Sequence, residues 1–529
     1  MTRTRIINQF GGTVAKRFVA VLICAAALSA PATDLDTIGV TLLRQVDPTL
    51  NGNGVKVAQV EAHYFTAPLP PYAFEVVPSV VGQPVSLFTY YSGLGTSNSY
   101  PNAIGVNSDH ADSVGRNFFG IADGVATNIS HVHNYEVNYF INTFISPSTH
   151  PAISARVVNQ SYTYATNDPA VDQDFDDYAA KNNILILTGA GFNGEPIYTP
   201  ATCYNGIGVT VYGPSQPPYG PTPDGRSKPD ITSPGSLETS FATPYVAGAA
   251  ALLVQAAARN DGGTSTASMA TNPVTIKALL LNGAVKPADW TNGPVTPLDA
   301  RYGAGIVNVF NAWKQLKGGL RVSNETTAVT SGAAHPPGAS ANNQPSLIGW
   351  DYTTLSTSVA GQDKINHYYF NLTGSNAFTL TATLVWNRQT GKATVNNLDL
   401  FLYNTVSGNL VLSSTSVVDN VEHLFLPQLP PGRYDLQVLK PRTGQVATSE
   451  PYALAFEFFC VKLKIALTNG LATLSWTNAP TGFRLTSSPT LDPPALWTTV
   501  AAVVTMTNGQ NTVSIPVTGA NQFFRLQRP

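Results

Sequence analysis

Ser240 stands just ahead of the most apolar stretch of the chain, Tyr245 to Ala258 (YVAGAAALLVQAAA). A run that is apolar on every side predicts a helix buried on every side. A hydroxyl at the N-terminus of such a helix has backbone N–H groups beside it that can stabilise an oxyanion. The local sequence is Glu238-Thr239-Ser240-Phe241-Ala242-Thr243-Pro244-Tyr245-Val246-Ala247-Gly248. It is preceded by Gly225-Arg226-Ser227-Lys228-Pro229-Asp230-Ile231-Thr232-Ser233-Pro234-Gly235. The chemistry implied is nucleophilic attack by Ser240. A serine hydroxyl is a poor nucleophile at neutral pH, so it needs a base, and the base needs a fixed tautomer. The plainer alternative is a serine that caps a core helix.

Other reactive residue types give weaker signals. Asp172-Gln173-Asp174-Phe175-Asp176-Asp177 alternates carboxylates but lacks the turn glycine and terminal glutamate of a calcium loop, so a solvated acidic helix face is expected. His131 and His133 share one side of a strand, with no nearby carboxylate or cysteine to complete a metal set. His63 follows Glu61 by two residues. The three cysteines cannot form a disulfide framework, and Cys203 and Cys460 are expected to be unpaired, buried and inert.

These residues need a scaffold, and the composition supplies one. The chain has 529 residues, 43% of them hydrophobic, which is enough for packed cores and excludes a disordered chain. A net charge of −2 gives no global field to attract nucleic acid or anionic lipid. The 43 glycines and 39 prolines favour loops and β-structure over helical bundles. Residues 1–32 have a basic start, an apolar run (Phe18 to Ala27) and an Ala30-Pro31-Ala32 end, the features of a secretory signal peptide. The mature protein is therefore expected to be exported and soluble.

From Asp34 to Gly319, short aliphatic strands alternate with helical stretches. The strands include Val55 to Val60, Arg156 to Ser161 and Asn183 to Thr188, and a helix is predicted over Asp168 to Lys181. This alternation predicts an α/β fold with a doubly wound, mostly parallel sheet. A Gly/Ser/Asn/Pro-rich linker is expected from Ser331 to Pro345. Alternating runs such as Phe378 to Trp386 then predict an antiparallel, jelly-roll-like β-sandwich over 346–460, and a small β-module follows over 461–529.

The Ser240 segment and the Lys228-Pro229-Asp230 stretch before it resemble the nucleophile signature of the subtilisin-like serine proteases, the subtilases. The resemblance extends over most of residues 52–316. Asn53 to Glu61 is similar to the strand that ends in the family's catalytic acid, here Glu61. Asp109-His110-Ala111-Asp112-Ser113-Val114-Gly115 resembles the helix start that carries the catalytic imidazole, which assigns it to His110. Gly120 to Ala126 and Arg301 to Asn308 resemble further family turns. The resemblance implies a catalytic domain over 33–320 with Ser240 as nucleophile, His110 as base and Glu61 as orienting acid, in the family's chain order.

The sequence departs from the family pattern at three points. The acid is glutamate, Glu238 replaces a glycine before the nucleophile, and Phe192 falls where an asparagine completes the oxyanion hole. Asn193, one residue later, is assigned that role through a one-residue loop shift. Ser161 and Tyr162 align with the substrate-pairing edge, and Gly189 is the third substrate-binding candidate. The resemblance implies polypeptide substrates, no cofactor required for chemistry, and structural calcium at no identified position. No nucleic acid, no membrane span and a monomeric chain are expected. The leading reading is a secreted serine endopeptidase acting through an acyl-enzyme. A catalytically impaired extracellular binding protein is the alternative, and a surface-attached binder built on the β-modules is a third reading.

Overall fold

The computed structural model describes residues 33–63, 70–328, 346–356 and 363–460. Towards the C-terminus it describes 462–468, 470–477, 484–490, 496–507, 510–517 and 522–527. The expected signal peptide and the whole of the expected linker lie outside the described residues.

Eight strands form the central sheet: β1 (Lys56–Glu61), β2 (Phe88–Ser92), β3 (Gly95–Ser97), β4 (His131–Glu136), β5 (Val157–Gln160), β6 (Leu185–Gly189), β7 (Ile207–Val211) and β8 (Ile231–Ser233). Their spatial order is β8-β7-β6-β5-β1-β4-β2-β3, and every neighbouring pair is parallel except β2–β3. Successive residues of β1 point into different cores. Val57 joins one cluster with Val157, Leu185 and the apolar helix, whereas Ala58 and Val60 join another with Phe140, Phe175 and Tyr178. A sheet buried on both faces needs aliphatic residues at successive positions, which is why these strands read as continuous runs.

The helices that matter for the site are α1 (Asp109–Phe119), α2 (Pro169–Asn182), α3 (Thr239–Ala258), α4 (Pro273–Gly283) and α5 (Val309–Lys317). Asp168 caps α2 by accepting from the Ala170 and Val171 amides, as its Asp-Pro start predicts. α3 is the one described helix long and apolar enough to cross a membrane, but most of it is buried in the core. It begins six residues before the apolar run suggests, so Ser240 lies inside its first turn. Gly248 lets α3 approach the 120–126 segment, since a Cβ there would sit 2.4 Å from Val125 Cβ.

Two features correct the sequence reading. Asp172 and Asp176 are not solvated but buried. Asp172 Oδ2 accepts from Thr202 Oγ1 (2.6 Å), and Asp176 accepts the Tyr204 and Asn205 amides and pairs with Arg388 at 2.8 Å. A buried carboxylate is tolerable only when so paired. Cys203 is buried and unpaired as expected, but Cys460 is only half-buried.

The C-terminal strands form a sandwich: β9 (Asn324–Ala328), β10 (Ile348–Ser356), β11 (Asp363–Leu372), β12 (Phe378–Trp386), β13 (Asp399–Asn404), β14 (Leu410–Ser414), β15 (Val421–Leu429), β16 (Gly432–Lys440) and β17 (Ser449–Phe459). One sheet runs β9-β11-β16-β13-β14 and the other β10-β17-β12-β15, with all pairings antiparallel. The edge strand β9 precedes residue 346, where the sequence reading starts the sandwich. The second sheet is not free-standing: Trp350, Val385, Val421, Ala453 and Ala455 belong to the same apolar cluster as α3, α4 and α5. Asn282 at the end of α4 accepts from Thr381 and Thr383 of β12, both at 2.9 Å. Among the described residues from 464 to 527, two further sheets of four and three strands pack around Leu474, Trp476 and Leu485.

Candidate active site

In open α/β sheets, ligands bind outside the carboxyl ends of the strands. Glu61 ends β1, Ser161 follows β5 and Gly189 ends β6, so three separate segments reach one rim. A cleft of about 690 Å³ opens there, lined by His110, Ser161, Tyr162, Gly189, Asn193 and Ser240 among others. Glu61 lies behind His110 and is buried.

His110 occupies the first turn of α1, whose N-cap Ser108 accepts from the Ala111 amide. Its Nδ1 lies 2.8 Å from Glu61 Oε2. The other carboxylate oxygen accepts from Gln59 Nε2 at 2.8 Å, and Gln59 also donates to the Ala111 carbonyl at 2.9 Å. Gln59 and Glu61 are two residues apart on one strand and so share a face. Gln59 thereby ties the acid to the helix that carries the imidazole. The longer glutamate side chain is accommodated without loss of the hydrogen bond. Burial disfavours a charged imidazole, but the Glu61 carboxylate, through its charge and hydrogen bond, and the charge of Glu238 outweigh it. Together they raise His110 above its ordinary value. Asp112, the nearest other acid in sequence, accepts instead from the Val77 amide at 2.7 Å.

Ser240 is the second residue of α3, where backbone N–H groups have no intrahelical acceptor. Its Oγ donates to the Ser161 carbonyl at 3.3 Å, not to His110. In return, Ser161 Oγ donates to the Ser240 carbonyl at 2.8 Å. Thr239 Oγ1 donates to the Gly191 carbonyl and Asn117 Nδ2 to that of Phe241, which fastens the helix start to β6 and α1. Gly235 is required before this turn, because a Cβ there would lie 2.3 Å from the Ala242 amide nitrogen.

Glu238 sits at the helix N-cap with φ −129° and ψ 139°, extended backbone that any residue adopts, so glycine's freedom is not needed there. The unusual backbone is one step earlier: Ser236 (φ 50°) and Leu237 (φ 66°) both occupy the left-handed region. The Leu237 carbonyl accepts from Asn193 Nδ2 at 2.9 Å. Phe192 is exposed and points to no core position.

Sequence reasoning missed Gln59, Thr239 and Asn117, and it underrated His63. Glu136, the register partner of Glu61, pairs with His63 at 2.9 Å and caps the next helical turn. The period-two spacing of Gln59 and Glu61 was the one available signal. Asp172 and Asp176 of α2 are engaged within the protein, and no group of three metal-ligating side chains converges among the described residues. His131 and His133 bond instead to Thr89, Tyr91 and Ser154.

Residues 103–305 match the subtilase family model, a span that contains His110 and Ser240 and begins after Glu61. No curated protein matches the chain. Similar solved structures include a protease from Pseudoalteromonas arctica (19% identity, TM-score 0.38, covering 55% of this chain and 96% of that one). A lanthipeptide protease is 15% identical, with TM-score 0.38 and coverage of 54% and 96%. Tripeptidyl peptidase 2 is 13% identical, with TM-score 0.31 and coverage of 73% and 43%. Residues 103–305, which carry His110, several strands of the parallel sheet and the helix-borne serine, are thus similar to the subtilases, the subtilisin-like serine peptidases.

Proposed function

We propose that the protein is an exported serine endopeptidase that cleaves polypeptides through an acyl-enzyme, with Ser240, His110 and Glu61 as its triad. The observation that carries this reading is the 2.8 Å contact between His110 Nδ1 and Glu61, in a cleft that also holds Ser240 at a helix N-terminus. Glu61 holds the Nδ1–H tautomer, which leaves Nε2 to act as base. Ser240 Oγ rotates from the Ser161 carbonyl, gives its proton to His110 Nε2 and bonds to the scissile carbonyl carbon. The carbonyl π electrons move onto oxygen. The first N–H groups of α3 and the second N–H of the Asn193 amide then donate to that oxyanion. Collapse breaks the C–N bond, and the leaving amine takes the proton from His110. Water repeats the sequence to release the acid. Ser161, Tyr162 and Gly189 line the wall along which the substrate backbone pairs. Export rests on the leader-like pattern of residues 1–32. The chain acts as a monomer and needs no cofactor for chemistry.

The second reading, a catalytically silent binding protein, draws on the Ser240 hydroxyl resting on Ser161 rather than on His110. A fluorophosphonate probe separates the two. Covalent labelling at Ser240, abolished in His110→Ala, supports the peptidase. A folded wild-type protein that takes no label overturns it.

A further inference from the structure

Glu238 is a carboxylate in the cleft wall, two residues before the nucleophile, and it is exposed. It stands at the N-cap of α3, yet its side chain accepts no hydrogen bond from the helix. No lysine or arginine forms an ion pair with it among the described residues, and its charge acts on the His110 imidazole. The cleft lining contains no lysine or arginine. Beside it are two large exposed apolar side chains, Phe192 (56% exposed) and Leu237 (55%). The Asn193–Leu237 hydrogen bond holds the Phe192 loop against the turn that carries Glu238.

From this arrangement, and on the reading of the cleft as a peptidase site, we propose that Glu238 selects a lysine or arginine side chain flanking the scissile bond. Such a side chain has two parts with different needs. Its aliphatic stem gains by covering apolar surface, and its cationic head gains from a carboxylate and from an aromatic face. Phe192, Leu237 and Glu238 offer these together.

Charge in the transition state gives a second reason. A carboxylate close to the nucleophile opposes the developing oxyanion, and a substrate cation placed against it offsets that opposition. The gain is larger in the transition state than in the ground state, so the preference is expressed in kcat as well as KM. Uncharged substrates leave only the His110 imidazolium to offset the carboxylate.

The test uses the full chain and fluorogenic peptides that differ only at the residues flanking the scissile bond: Lys, Arg, Gln, Leu or Glu. Wild type is expected to favour Lys and Arg by about fivefold in kcat/KM, the upper end for an exposed ion pair. The preference should shrink as salt rises from 50 mM to about 1 M. Glu238→Gln should lose the preference and also gain activity on Leu and Gln peptides, a rise that a purely structural role does not produce. The salt series on wild type alone decides the matter if the variant fails to fold. Equal kcat/KM for Lys and Gln peptides at every salt concentration, with Ser240 still labelled by fluorophosphonate, overturns the inference and leaves the peptidase reading intact. Absence of both hydrolysis and labelling removes both.

Discussion

Ser161 and Ser240 exchange hydrogen bonds, each hydroxyl donating to the other's carbonyl, at 2.8 and 3.3 Å. The exchange originates four residues downstream. Residue 244 is proline, which has no N–H to give the Ser240 carbonyl the usual i→i−4 bond. The Ser161 hydroxyl supplies the missing donor and thereby ties the end of β5 to the backbone of Ser240. Ser161→Ala leaves that carbonyl without a donor and should cost about 1–2 kcal/mol of stability. Urea unfolding of the two proteins measures it, and an unchanged midpoint would refute the role.

Glu61→Gln keeps the shape of the acid but lets the imidazole adopt either tautomer. On the peptidase reading, kcat should fall by about 10⁴, with KM little altered. Steady-state kinetics on one peptide decides the point. Full activity in this variant means that another group orients His110.

The raised pKa of His110 fixes the sign of the pH dependence. On the peptidase reading the base must be neutral to take the Ser240 proton, so activity falls as pH drops through the pKa of the folded protein. The acid limb of kcat/KM should therefore have its midpoint above 6.5. Glu238→Gln removes one of the charges that hold the imidazolium and should move that midpoint towards acid. A pH–rate profile of both proteins shows whether it moves.

Asn193→Ala removes a donor that holds the Leu237 turn and, on the peptidase reading, serves the oxyanion. Loss of one such donor costs about 10²–10³ in kcat, a range whose reference case is itself a subtilase. KM should change much less. A loss confined to KM would assign Asn193 to substrate binding alone.

Arg388→Met should destabilise the fold by about 3–5 kcal/mol, because it leaves the Asp176 carboxylate buried without its cation. Thermal unfolding followed by circular dichroism reads the loss.

Much of this was legible in the sequence because buried elements write continuous patterns. The limits of the three parallel strands read from the sequence, β1, β5 and β6, came within two residues, and β12 was read correctly at both ends. The start of α3 was missed because Pro244 reads as a helix boundary, whereas the structure satisfies the freed carbonyl from Ser161. Glu61 and His110 were singled out through motif resemblance, whereas for Gln59 the period-two spacing to Glu61 is the one local hint. Asp172 and Asp176 were misread for the opposite reason. Their partners Thr202, Asn205 and Arg388 lie far along the chain, and distant pairing leaves no trace in helical spacing.

The apolar cluster shared by α3, α4, α5 and the β10–β17–β12–β15 sheet has a practical corollary. A cut in the peptide chain between Ala328 and Ser346 would sever the backbone without parting the two halves. The nicked protein would elute as one particle from a sizing column and come apart only in denaturant. A gel run after boiling would then reveal two fragments in what behaves as a single molecule.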